Sequence, residues 1–189
     1  MPELAIASRT VLVIVFLLSA SSKVRSRGAF AEFVASLVSL TGLPTQRAPA
    51  VAAVVATGEM TVVVLMFVPA PPVALAGFLL AAFLLAAFTV AIINAIRRAV
   101  LVPCRCFGGS TNPIRPTDGV RNLILMGVAG VGCANLRIWP IPIPLGSLLI
   151  TVFAAGVVSW WLINLADVKW LVGSTPVLAP GAPTRLDIN

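Results

Sequence analysis

Between Pro72 and Ile96 the chain reads PVALAGFLLAAFLLAAFTVAIINAI, and no acidic or basic side chain interrupts it. At about 1.5 Å per residue, a run this long and apolar can cross the roughly 30 Å hydrocarbon core of a bilayer as one helix. It decides the fold class, and the rest of the chain repeats it. Similar stretches run from about Leu4 to Ala20, Ala48 to Val68, Gly119 to Ile138 and Pro144 to Ala166; only Arg9 interrupts the first. Pro69-Ala70-Pro71-Pro72 divides two of them, and Trp139-Pro140-Ile141-Pro142-Ile143-Pro144 divides the last two, because proline has no N–H with which to continue a helix. The expectation is an all-α, polytopic transmembrane bundle of four to five spanning helices. It occupies residues 1–172, and a Pro-, Gly- and Thr-rich stretch at 173–189 reads as a mobile tail.

Composition points the same way. Of 189 residues, 59% are hydrophobic and 10% charged, against about 25% charged in soluble domains. Mean hydropathy is +1.06. A soluble enzyme and a disordered chain are both excluded. The chain has no His and no Tyr, which removes His-based metal sites, haem ligation by His, and Ser–His or Cys–His catalysis.

The first stretch has the outline of a signal peptide, with Arg9, an apolar run and Ser19-Ala20-Ser21. The basic run Lys23-Val24-Arg25-Ser26-Arg27 directly behind it is badly placed for a cleavage site, so the stretch reads as a helix. After it, Phe30, Phe33, Val34, Leu37, Val38 and Leu40 recur at helical spacing, too briefly to span. They describe an amphipathic helix lying at the membrane interface. Gly77/Ala81 and Ala82/Ala86 are small-xxx-small pairs that permit close helix packing.

The formal charge is +7. Lys23, Arg25, Arg27, Arg47, Arg97, Arg98, Arg105, Arg115, Arg121, Lys169 and Arg185 fall on one side of the membrane, against Arg9 and Arg137 on the other. The positive-inside rule then places the C-terminus and the Cys104/Cys106 loop in the cytoplasm. The surplus suits anionic lipid and implies no nucleic-acid partner.

Two features could carry chemistry. In Pro103-Cys104-Arg105-Cys106-Phe107-Gly108-Gly109, two thiols are separated by one residue, with Arg97, Arg98 and Arg105 near them in sequence. Positive neighbours favour the thiolate, the nucleophile of disulfide exchange, and a ring this small is strained and labile. A redox pair, two structural thiols, and half of a thiolate metal site that needs a second chain all remain open. Cys133, deep in a helix, reads as a small buried hydrophobe. Glu59, in the middle of an apolar helix, marks either a functional carboxylate or a packed one, with Arg9, Lys23 and Asn94 as possible partners. Asn122 and Asn164 read as packing or capping groups, and the tryptophans as interfacial anchors.

These residues resemble the methylamine utilisation protein MauE family, which is itself similar to DoxX/DoxD membrane proteins. The resemblance is carried by Phe16-Leu17-Leu18-Ser19-Ala20-Ser21-Ser22-Lys23, Glu59, Cys104-Arg105-Cys106-Phe107-Gly108, Pro113-Ile114 and Arg121-Asn122, over about residues 1–166. The family loop commonly reads Cys-Gly-Cys-Phe-Gly, so Arg105 departs from it. The resemblance implies thiol–disulfide chemistry at the membrane beside a thioredoxin-like partner, with Cys104, Cys106 and Glu59 as its centre. Arg97, Arg98 and Arg105 would activate the thiols or bind the partner, and Lys23, Arg121 and Asn122 are further site candidates. The DoxX likeness adds a quinone as electron carrier. The family's extracytoplasmic maturation role would put the cysteines outside, opposite to the Lys and Arg count, and the count is preferred. The rivals are a membrane scaffold or chaperone, and a small transporter with Glu59 as its coupling carboxylate.

Overall fold

The computed structural model describes residues 2–98, 116–136 and 144–163. The Cys104-Arg105-Cys106 motif, the linker around Trp139 and the tail from 173 onward lie outside the described residues. Among the described residues six helices follow one another: α1 (Pro2–Val24), α2 (Arg27–Thr41), α3 (Ala48–Phe67), α4 (Pro71–Arg97), α5 (Pro116–Asn135) and α6 (Leu145–Ile163). Their ends are set by local chemistry. Prolines occupy the first turns of α3 and α4, where their missing N–H is no loss. At the start of α2 the Ser26 hydroxyl accepts the Ala29 N–H at 3.1 Å. Gly42 ends α2 at φ +72°, its N–H donating to the Val38 carbonyl at 2.8 Å.

By length and hydropathy α1, α3, α4 and α6 can each cross a membrane. α5 matches α3 in length, but Asp118, Arg121 and Asn122 in its first two turns dilute its apolar character. It packs between α1 and α4 nonetheless. α1 is the central helix, in contact with α2, α3, α5 and α6. Leu12, Val15 and Phe16 of α1 meet Val62, Phe78, Leu85 and Leu125 in the common core. α3 runs antiparallel to α1: near one end Arg9 donates to the Val68 carbonyl at 2.6 Å, and toward the other Lys23 meets Glu59.

The close approaches depend on small residues. Gly77 and Ala81 are buried on the core face of α4, as the small-xxx-small pattern expects. A Cβ at Gly77 would stand 3.1 Å from the Leu65 side chain of α3. A Cβ at Gly132 of α5 would run into the Phe78 ring. Gly132→Ala is therefore expected to cost about 1–3 kcal/mol of stability by overpacking. A second change that shrinks the ring, Phe78→Leu, should restore part of that loss. Thermal unfolding in detergent checks both, and an unchanged midpoint for Gly132→Ala would contradict this α4–α5 packing.

α2 is the short amphipathic helix expected after the first span. Its Phe33 and Leu37 pack with Ala52 in a small cluster of their own, and Leu40 joins the main core. It lies against α1, α3 and α4. The C-terminal end of α1, the start of α3, the end of α4 and the start of α5 thus share one end of the bundle. That end carries Lys23, Arg25, Arg27, Arg47, Arg97, Arg98 and Arg121, and Arg9 lies toward the opposite one.

Candidate functional site

Helical periodicity brings polar groups onto otherwise apolar faces. On α1, Leu12, Phe16, Ser19 and Lys23 recur at spacings of three and four, and all four are buried. On α3, Ala52, Ala56, Glu59 and Val63 do the same. Packing these two faces together forces Glu59 against Ser19 and Lys23.

Lys23 Nζ donates to both carboxylate oxygens of Glu59, at 2.9 Å to Oε1 and 3.0 Å to Oε2. It also donates to Ser19 Oγ at 2.7 Å. Ser19 Oγ in turn donates to Glu59 Oε1 at 2.9 Å, so the three side chains form a closed ring of hydrogen bonds. Aromatic faces cover the ammonium: its nitrogen lies 5.0 Å from the ring centre of Phe33 and 5.9 Å from that of Phe88, within cation–π range. Side-chain exposure is 1% for Lys23 and 0% for Glu59.

That burial is informative because Lys23 has an alternative. A lysine in the last turn of a spanning helix normally extends its stem toward the interface and keeps its charge in water. Here the side chain follows the N-terminal tilt of its Cα–Cβ bond back along α1 and points inward. Removing two charges from water costs several kcal/mol each, recovered only by close geometry and satisfied hydrogen bonds. The ring of bonds and the two aromatic faces supply those conditions.

Arg121 and Asn122 are buried on the core face of α5 with Leu125, Ala129 and Gly132. Arg121 stands 3.7 Å from Asp118 on the preceding turn. Neither polar atom of the fully buried Asn122 carboxamide has a hydrogen-bond partner among the described residues. Gly132 faces Phe78, and ten residues from each, about 15 Å along antiparallel helices, come Asn122 and Phe88. Asn122 therefore falls at about the depth of the ring that flanks Lys23.

The family model described as methylamine utilisation protein MauE matches residues 1–135. The chain belongs to the MauE family. No curated protein and no solved structure matches it. The MauE match takes in α1 to α5 and the intervening 99–115 segment and leaves α6 outside, ending earlier than the residue 166 expected from the motifs. The chain is thus a multi-pass membrane protein of this family.

The structure brings Lys23 and Glu59 together, and the alternatives for Glu59 separate from it. Arg9 caps the end of α3 through Val68, and Asn94 is not among the groups bonded to Glu59. Arg97 and Arg98 stand at the end of α4, exposed, at the brink of the 99–115 segment. Cys133 packs half-buried against the main core. It lies 17 residues into an unbroken α5, about 26 Å of rise from Pro116, which fits a packing residue. Sequence reasoning missed Phe33 and Phe88 as cover for the pair and Ser19 as its third member. Only Ser19 left a signal, by standing four residues before Lys23.

A groove of about 660 Å³ lies between α1, α5 and α6, lined by residues such as Leu4, Val11, Ile124, Val128, Ile150 and Ala155. It faces the N-terminal half of α1, away from Lys23. Both Glu59 oxygens are buried and engaged, Oε1 by Lys23 and Ser19 and Oε2 by Lys23. Among the described residues no three Cys, Asp or Glu side chains gather as metal ligands.

Proposed function

We propose that this MauE-family chain is a membrane thiol–disulfide redox protein that sets the redox state or maturation of a partner protein through Cys104 and Cys106. The observation that supports this reading is a shared end. The 99–115 segment that carries both thiols leaves α4 after Arg98 and enters α5 at Pro116, at the bundle end where Lys23 is buried against Glu59. The exchange can run either way; in one direction a thiolate of the pair attacks a disulfide of a thioredoxin-like partner and one partner sulfur departs as thiolate. The second cysteine then attacks the mixed disulfide, so that the partner gains two electrons and the Cys104–Cys106 disulfide is left behind. Arg97, Arg98 and Arg105 favour the attacking thiolate by their charge. The Lys23–Glu59–Ser19 ring fastens α1 to α3 at this end of the bundle, with Asn122 at about the same depth.

The basic end is proposed to face the cytoplasm, as the Lys and Arg distribution requires. Thiol trapping in intact cells, in a Cys133→Ser background, tests redox state and sidedness together. A membrane-impermeant maleimide is expected to leave Cys104 and Cys106 unlabelled until the membrane is permeabilised. Labelling from outside would reverse the orientation. Two thiols that stay reduced whatever the redox state of the partner would remove the exchange reaction.

A further inference from the structure

The charges at the basic end divide into two groups. The buried cations have internal partners, Lys23 with Glu59 and Arg121 with Asp118. Arg25, Arg27, Arg47, Arg97 and Arg98 are exposed, and among the described residues none of them forms an ion pair. The only other acid on the described residues of this end is Glu32, exposed on α2. The unneutralised groups are all guanidinium, whose planar fork matches a phosphate with two parallel hydrogen bonds.

On α4 the charge joins an apolar stripe. Leu79, Phe83, Val90, Ile93 and Arg97 are exposed, at 58%, 67%, 57% and 42% for the four hydrophobics. Their spacings of 4, 7, 3 and 4 residues keep them on one helical face. Val90 and Ile93 lie about 10 and 6 Å along the axis from Arg97, inside the roughly 15 Å half-thickness of one leaflet. Next to Arg97, Arg98 extends across the end of α2, where a Cβ on Gly42 would stand 3.1 Å from its Nη1.

We propose that the α4 end is a binding site for an anionic phospholipid, with Arg97 and Arg98 holding the headgroup phosphate and one acyl chain lying along Ile93 and Val90. Free phosphate satisfies only the arginines. The stripe continuous with Arg97 calls for a ligand that is anionic at one end and apolar along the rest. The site shares Arg97 and Arg98 with the thiol reading but requires neither cysteine, and its test reads lipid binding alone.

The test uses the full chain purified in mild detergent, with the thermal unfolding midpoint as readout. Added phosphatidylglycerol is expected to raise the midpoint by about 4 °C or more, and phosphatidylcholine or inorganic phosphate alone is expected to raise it far less. Arg97→Gln/Arg98→Gln should keep its lipid-free midpoint and lose at least half of the phosphatidylglycerol shift. An equal shift with phosphatidylcholine, the full shift with inorganic phosphate, or an unreduced shift in the double variant would overturn the proposal. If that variant does not insert, native mass spectrometry of the wild type decides. Preferential retention of phosphatidylglycerol from an equimolar mixture supports the site, and equal retention of both lipids overturns it.

Discussion

Lys23→Met with Glu59 left in place is expected to lower the unfolding midpoint in detergent by about 10 °C, and Glu59→Gln with Lys23 intact by a similar amount. Each change strands one buried charge, which typically costs about 3–5 kcal/mol, and a chain of this length moves about 2–4 °C per kcal/mol. The double variant Lys23→Met/Glu59→Gln removes both charges and keeps the approximate volumes, so most of the midpoint should return. Lys23 Nζ stands within 3.0 Å of both Glu59 oxygens, and a thermodynamic cycle over the four proteins should therefore show strong coupling. Additive losses would mean that the two groups do not pair. The double variant also separates folding from function. It is expected to insert normally and yet be inactive, because an ion pair retained at this depth against its desolvation cost signals a role beyond packing. Wild-type activity in the double variant would leave the pair as a fastener between α1 and α3. Glu59→Gln alone cannot make this distinction, since it strands Lys23.

The second large effect is expected at the thiols. Cys104→Ser and Cys106→Ser should each abolish exchange with the partner while membrane levels stay normal, because a dithiol cycle needs one sulfur to attack and another to resolve. The two variants should differ in one respect. The one that retains the attacking thiol should accumulate a mixed disulfide with the partner, visible on a non-reducing gel, and this identifies the nucleophile. Cys133→Ser should be nearly silent, since that side chain packs half-buried against the core at the far end of α5. Full activity in Cys104→Ser/Cys106→Ser would end the redox proposal and leave a scaffold role.

The limits of sequence reading differ between elements. The spans were legible to within a few residues, because a bilayer demands long apolar runs and proline stops them. The first stretch, expected to end near Ala20, continues to Val24. Its last turn is polar on one side, and hydropathy alone could not show that Ser19 and Lys23 stay helical and turn inward. α5 presents the reverse difficulty. Its polar first turns weaken the hydropathy signal, yet Arg121 and Asn122 are buried because α1 and α4 flank them. Glu59 was legible as an anomaly from composition alone, whereas its partner was not. Arg9, Lys23 and Asn94 were equal on paper, and the antiparallel register of α1 and α3 separates them.

By itself, then, the amino-acid sequence determined the helical class, the breaks between spans, the charge asymmetry and the family motifs. These are local properties, set by the transfer of side chains and peptide groups between water and hydrocarbon, and each can be read within a window of about 20 residues. Only the tertiary structure decided which buried charges meet. That Lys23 pairs with Glu59 rather than reaching the interface depends on the facing of α1 and α3 and on the cover from Phe33 and Phe88. The groups of this site come from four helices, from Ser19 to Phe88, and no local pattern links them. A desolvated ion pair is stable only where every surrounding group is already in place, so its existence is a property of the packed bundle.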